Sequence, residues 1–194
     1  MNIIYLHGFQ SSALSIKGQQ LKQYFAENTA VTVHLPDLNQ APSQVMQQMS
    51  GLIESLEDVM LVGSSLGGFY ATQLVAKYGV PAVLINPAMR PWQLFRQLFA
   101  EVEMPYQVTP NWSLDDTQLD QLAQMALPFV QDADKILVLL QQGDEVLDYR
   151  EAQRYYSAGL HRALVITDSQ GNHAMENFVE KIPMSFRFLS DCIK

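Results

Sequence analysis

The chain has one cysteine, Cys192, which excludes an internal disulfide and any cysteine-rich metal site; a partly buried thiol on a terminal helix is its expected role. No apolar run approaches the length of a membrane span. The first such run, Ile3-Ile4-Tyr5-Leu6, is too short for the core of a signal peptide and has no basic residue before it, so a cytoplasmic location is expected. Basic residues are scarce. Twelve Lys and Arg against 20 Asp and Glu give a formal net charge of −8, which argues against nucleic acid and anionic membrane surfaces as partners. Charged residues make up only 16% of the 194 positions and hydrophobic ones 48%, the balance of a chain that buries a core. The length suits a single domain, residues 1–194. Repeats, low-complexity tracts, phosphate-cradling glycine loops and metal-ligand spacings are lacking, so no metal or organic cofactor is expected.

What the chain does have is alternation. Short β-rich apolar runs at 2–6, 31–35, 59–62, 81–85, 135–140 and 163–167 alternate with helical patterns at 15–26, 43–56, 69–78, 149–157 and 175–193. Leu21, Tyr24 and Phe25 are expected to face inward from the first helix, and Val45, Met49, Leu52, Ile53 and Leu56 to share one face of the second. Pro183 is expected to kink or break the last helix. The pattern predicts an α/β fold, a three-layer α/β/α sandwich around a mainly parallel six-stranded sheet with right-handed crossovers. Ligand chemistry then belongs at the carboxyl ends of the strands. His7-Gly8-Phe9, Ser65, Asn86, Asp144 and the loop 168–173 all follow such ends.

One interval, 88–134, breaks the alternation. It carries Trp92, Phe95, Phe99, Tyr106 and Trp112, with a helical stretch expected at 115–129. An aromatic-rich connection of this length suits a lid or cap over the site, and Trp92 and Phe95 are expected to line a substrate pocket with His7 and Asn86.

The centre of the chain is Gly63-Ser64-Ser65-Leu66-Gly67, placed between the apolar run 59–62 and a helix. G-x-S-x-G in a strand–turn–helix setting makes a nucleophile elbow. The sharp turn forces Ser65 into a strained conformation, and glycines two residues either side lack the β-carbons that would collide. A serine hydroxyl needs a base. Of the four histidines, His173 lies in a flexible loop after the last strand and is the expected base; His34 and His161 are expected to be structural. His7 is expected to order its loop by hydrogen bonds. The base needs a carboxylate to hold its tautomer. In the segment 142–148, Asp144 is nearest the strand end and is the expected acid, with Asp148 capping the following helix and Glu145 directed to solvent. The amides of Leu66 and Phe9 are the expected oxyanion donors.

The order Ser65, Asp144, His173 is that described for α/β-hydrolases. Within that fold, Tyr-Leu-His-Gly-Phe-Gln-Ser-Ser at 5–12, Gly-Ser-Ser-Leu-Gly-Gly-Phe-Tyr-Ala-Thr at 63–72, Ile-Asn-Pro-Ala at 85–88 and Gly-Asp-Glu-Val-Leu-Asp-Tyr at 143–149 resemble the small bacterial esterases of the YqiA type. The resemblance covers nearly the whole chain and implies a compact α/β-hydrolase without the family's first two strands. It implies a serine carboxylesterase acting on short acyl esters, with acyl-CoA thioesters as a further substrate. A non-catalytic binding protein that kept the pocket, and perhydrolysis or carbon–carbon bond hydrolysis on the same residues, are the alternatives.

Overall fold

The computed structural model describes residues 1–158 and 162–193, so His161 lies outside the described residues. Six strands form one parallel sheet: β1 (Asn2–Leu6), β2 (Thr32–His34), β3 (Val59–Ser64), β4 (Ala82–Ile85), β7 (Ile136–Gln141) and β8 (Leu164–Asp168), in the order β2-β1-β3-β4-β7-β8. Around them lie α1 (Ile16–Tyr24), α2 (Pro42–Glu54), α3 (Leu66–Tyr78), α6 (Tyr149–Tyr156) and α7 (Phe178–Ile193). Strands in the middle of such a sheet are covered on both faces, which is why β3, β4 and β7 are apolar almost throughout and every residue in them is buried. The edge strands β2 and β8 carry the partly exposed positions.

Successive strand residues face opposite sides of the sheet and feed two cores. Ile4, Leu6, Leu61, Leu84, Val138 and Leu140 join residues of α2, α3 and α6 on one side. Ile3, Tyr5, Met60, Val62, Val83 and Leu139 join Leu21 and Phe178 of α1 and α7 on the other. This is the expected three-layer sandwich.

Local departures have physical reasons. Leu21 and Phe25, four residues apart, take the buried stripe of the first helix, while Tyr24, expected inside, stays 47% exposed on its flank. The last helix starts at Phe178, later than expected, and runs through Pro183. Its buried residues Phe178, Ile182, Ser185 and Leu189 form one stripe on both sides of the proline, so packing on the sheet holds the two halves in line.

The interval 88–134 contains α4 (Pro91–Leu98), an antiparallel hairpin of β5 (Tyr106–Thr109) and β6 (Trp112–Leu114), and α5 (Asp116–Met125), followed by a 3-10 turn at Ala133–Lys135. The hairpin carries no clear periodic signal in the sequence, whereas Trp92, Phe95 and Phe99 recur at helical spacing in and just after α4. The expected helix 115–129 ends at Met125, because Pro128 disfavours helical backbone at Leu127. Phe95, Leu114, Leu119 and Leu122 are fully buried, so this insertion has a core of its own that merges with that of α2 and α3.

Candidate active site

The turn from β3 to α3 holds Ser65 at φ 54°, ψ −118°, a region that L-residues avoid. Hydrogen bonds hold this conformation in place. The Ser65 amide donates to the Ile85 carbonyl (3.0 Å), and the Ser65 carbonyl accepts from Gly68 (2.9 Å), Phe69 (3.2 Å) and Ala88 (3.0 Å). The glycines are sterically required. A β-carbon on Gly67 would run into the Leu6 carbonyl of β1, and one on Gly63 into the Gly67 backbone.

His173 reaches Ser65 from the loop after β8. Its Nε2 lies 3.0 Å from Ser65 Oγ, and its Nδ1 lies 2.8 Å from Asp144 Oδ2. A carboxylate only accepts, so Nδ1 carries the proton and Nε2 faces the serine hydroxyl as an acceptor. The Asp144 side chain is 2% exposed and the His173 ring 22%. Asp144 Oδ1 accepts from the Val146 and Leu147 amides, each at 2.8 Å, so both carboxylate oxygens are engaged. Asp148 caps α6 and accepts from the Arg150 amide at 3.0 Å.

Glu145, expected to point to solvent, instead accepts from the His173 amide at 2.9 Å, and that bond holds its carboxyl below the usual range. The backbone at 172–173 is gripped from the other side by two buried amides. Asn86 Nδ2 donates to the carbonyls of Asn172 (3.1 Å) and His173 (3.2 Å), and its Oδ1 accepts from the Gln141 amide (3.0 Å). Gln141 Oε1 accepts from the Asn172 amide (2.7 Å), and its Nε2 donates to Asn177 (2.8 Å). Sequence reading missed Gln141, whose signal is a polar residue closing the apolar strand β7.

None of the four expected pocket residues lines the cleft that opens at Ser65. Asn86 is buried in the network just described. His7 is buried too; its Nε2 accepts from the Leu38 amide (2.9 Å) and its Nδ1 lies 2.8 Å from the Gly8 carbonyl, so it ties down the β1–α1 turn. Phe95 is 4% exposed, its ring 4.4 Å from that of Phe9. Trp92 lines a separate apolar cavity of about 500 Å³ with Phe69, Thr72, Tyr155 and Tyr156, which does not include Ser65. Aromatic residues in the insertion meet one another and Phe9 because burial of their large surfaces dominates their placement.

The cleft at Ser65 also measures about 500 Å³. The β1–α1 segment forms most of it, with Gly8, Phe9, Ser11, Leu14 and Lys17 on one side and His173 and Ala174 on the other. Gly8 passes so close that a β-carbon there would stand 3.2 Å from Ser65 Cβ. Leu66 opens α3, so its amide is among those with no partner inside the helix. Among the described residues no group of three or more His, Cys, Asp or Glu side chains is placed to hold a metal ion, and no helix is long and apolar enough to cross a membrane.

A parallel sheet in this order, with a strained serine turn leading from its third strand in sequence, defines an α/β-hydrolase fold. Solved structures of that fold match at low identity. Alpha/beta hydrolase domain-containing protein 10 from mouse has a TM-score of 0.75 and 14% identity, over 100% of this chain and 90% of that one. Est1E from Butyrivibrio proteoclasticus has a TM-score of 0.74 and 13% identity, over 99% and 88%. A pyrethroid hydrolase from Sphingobium faniae has a TM-score of 0.61 and 14% identity, over 95% and 96%. At such identities the likeness shows the fold alone. Within the fold, residues 2–190 match the model of the uncharacterised protein family UPF0227, and the chain belongs to that family.

Proposed function

We propose that this protein is a serine carboxylesterase that hydrolyses short acyl esters, with acyl thioesters as a further substrate. The observation that carries the reading is the continuous chain Asp144–His173–Ser65, with contacts of 2.8 and 3.0 Å, ending on a strained serine. His173 Nε2 takes the Ser65 proton as Oγ attacks the ester carbonyl, and Asp144 stabilises the imidazolium that forms. The amides of Leu66 and Phe9 bind the oxyanion; each follows a residue of the tight contact between the elbow and the β1–α1 turn. His173 then protonates the leaving group. Water, activated by the same imidazole, attacks the acyl-enzyme and releases the acid with Ser65 regenerated. The names of Est1E and the pyrethroid hydrolase agree with ester hydrolysis on this fold.

A fluorophosphonate probe tests the reading. It should add once, at Ser65 and not at Ser64, and Ser65→Ala should lose labelling together with about 10⁴-fold or more of its turnover of 4-nitrophenyl acetate, because nucleophile and base act as one unit. Labelling at Ser64, or near-normal turnover in Ser65→Ala, would refute it.

A further inference from the structure

The cleft at Ser65 is uneven in charge. Its lining contains Lys17 and His173 but no carboxylate, in a chain whose net charge is −8. Lys17 stands in the first turn of α1, half-buried, and its ammonium donates to the Ala174 carbonyl at 2.5 Å. Among the described residues no carboxylate comes within ion-pairing distance of it, and burial alone lowers its pKa. An ammonium has three donors, and the Ala174 carbonyl uses one. Holding that carbonyl would need only a neutral donor. Keeping a positive charge half out of water without a counter-ion costs free energy, which an anionic ligand would offset. The neighbours suit such a ligand: the Ser11 and Ser12 side chains are hydroxyl donors in the same lining, while Leu14 and Ile16, 79% and 77% exposed, offer apolar surface.

We propose that Lys17 is a specificity-determining residue that binds an anionic group of the substrate, so that the preferred esters carry a carboxylate or a phosphate within reach of the scissile bond. This rests on the esterase reading above. The ammonium lies beside the residue that follows His173, so the anion would sit next to the reacting carbonyl and orient it toward Ser65. The ion pair forms in the bound complex and takes no part in the bond changes.

Matched esters test this. On the acyl side, mono-4-nitrophenyl adipate is compared with its methyl ester; on the leaving-group side, 4-acetoxyphenyl phosphate is compared with 4-acetoxyanisole. The wild-type kcat/KM should favour the anionic member of at least one pair by about 10-fold, and which pair responds tells whether the anion belongs to the acyl group or the leaving group. Lys17→Met should cut the anionic rate about 10-fold more than the neutral rate, through KM. Lys17→Arg should keep the preference, and 0.5 M NaCl should weaken it, as expected of a partly exposed ion pair. A wild-type enzyme indifferent to the charge, or a Lys17→Met variant slowed equally on both members, would overturn the proposal and leave Lys17 as a tether for Ala174. Failure of the esterase reading looks different: no ester is turned over and Ser65 takes no fluorophosphonate. In that event calorimetric titration of Ser65→Ala with monomethyl and dimethyl adipate still decides, since equal affinity for the two refutes the anion site.

Discussion

Two loops meet at Ser65 and are held by opposite means. The elbow is fixed by backbone hydrogen bonds and by sterics: Gly63 and Gly67 admit only a hydrogen, and Ser65 is pinned at positive φ between Ile85 and Ala88. The loop bearing His173 is fixed by polar side chains from two other strand ends. Asn86 follows β4, Gln141 ends β7, and Glu145 lies in the segment after β7. The elbow can therefore be damaged only by adding atoms, whereas the histidine loop can be loosened by removing them. On the proposed reading, the serine must be rigid in a strained pose, and a base must be oriented to a fraction of an ångström while its ring still moves a proton.

The largest effect tests the end of the polar side. Asp144→Asn should leave the thermal melt nearly unchanged and lower ester turnover by up to about 10⁴-fold, as the ring loses the acceptor that sets its tautomer. A comparable loss in Asp148→Ala, with Asp144→Asn active, would move the acid to Asp148.

On the steric side, Gly67→Ala should cost more than about 3 kcal/mol in urea unfolding, because its β-carbon has nowhere to go but the Leu6 carbonyl of a central strand. If it folds with wild-type stability, the elbow is more yielding than its packing implies.

Asn86→Ala separates the two means of fixation. It removes three hydrogen bonds around the His173 loop and takes a partner from the His173 carbonyl and from the Gln141 amide, while the Asn172 carbonyl still accepts from Met175, so turnover should fall about 10²-fold, with roughly 2 kcal/mol lost in stability. Fluorophosphonate labelling of Ser65 should slow in proportion, since labelling needs the base. Glu145→Ala removes a single exposed contact and should slow turnover by only about 10-fold with no change in melting. Equal effects of the two would mean that the loop depends on one anchor and not on several.

The smallest effect is one of pH. Lys181 lies 2.9 Å from Asp168, at the start of the histidine loop, and with Gln141 and Asn177 holds that carboxyl below its usual value. A folded pKa below the unfolded value of about 3.9 means that the stabilisation is present above that pH and is lost as the pH falls through the folded value. The pair is partly solvated, so the contribution should be about 0.5 kcal/mol. Melting curves of Lys181→Ala against wild type should therefore differ at neutral pH and converge at the acid end; a gap that persists at the acid end would mean the lysine acts through packing.

The same contrast explains what could be read in advance. Alternating apolar runs predict the parallel sheet and both helical layers, since a strand covered on both faces needs continuous hydrophobicity. Gly63, Ser65 and Gly67 announce the elbow because the residue types it requires lie together in one short stretch of chain, although Gly67 is confined by Leu6 of β1. Asp144 and His173 were legible as residues following strand ends. The roles of Asn86, Gln141, Glu145 and Lys17 were not, because each depends on a partner between 28 and 157 positions away in the chain. The placement of the aromatic residues of 88–134 was not legible for a related reason. A Trp or Phe reads the same whether it lines a cleft or fills a core, and only the packing of α4, α5 and the hairpin against Phe9 and α3 decided that Phe95 is interior and that Trp92 lines a cavity whose walls do not include Ser65. Sequence by itself determined the fold and the strained serine, where the signal is local or periodic; tertiary structure decided how the histidine is held and which side chains surround the serine, where the forces act between strand ends brought together only by the sheet.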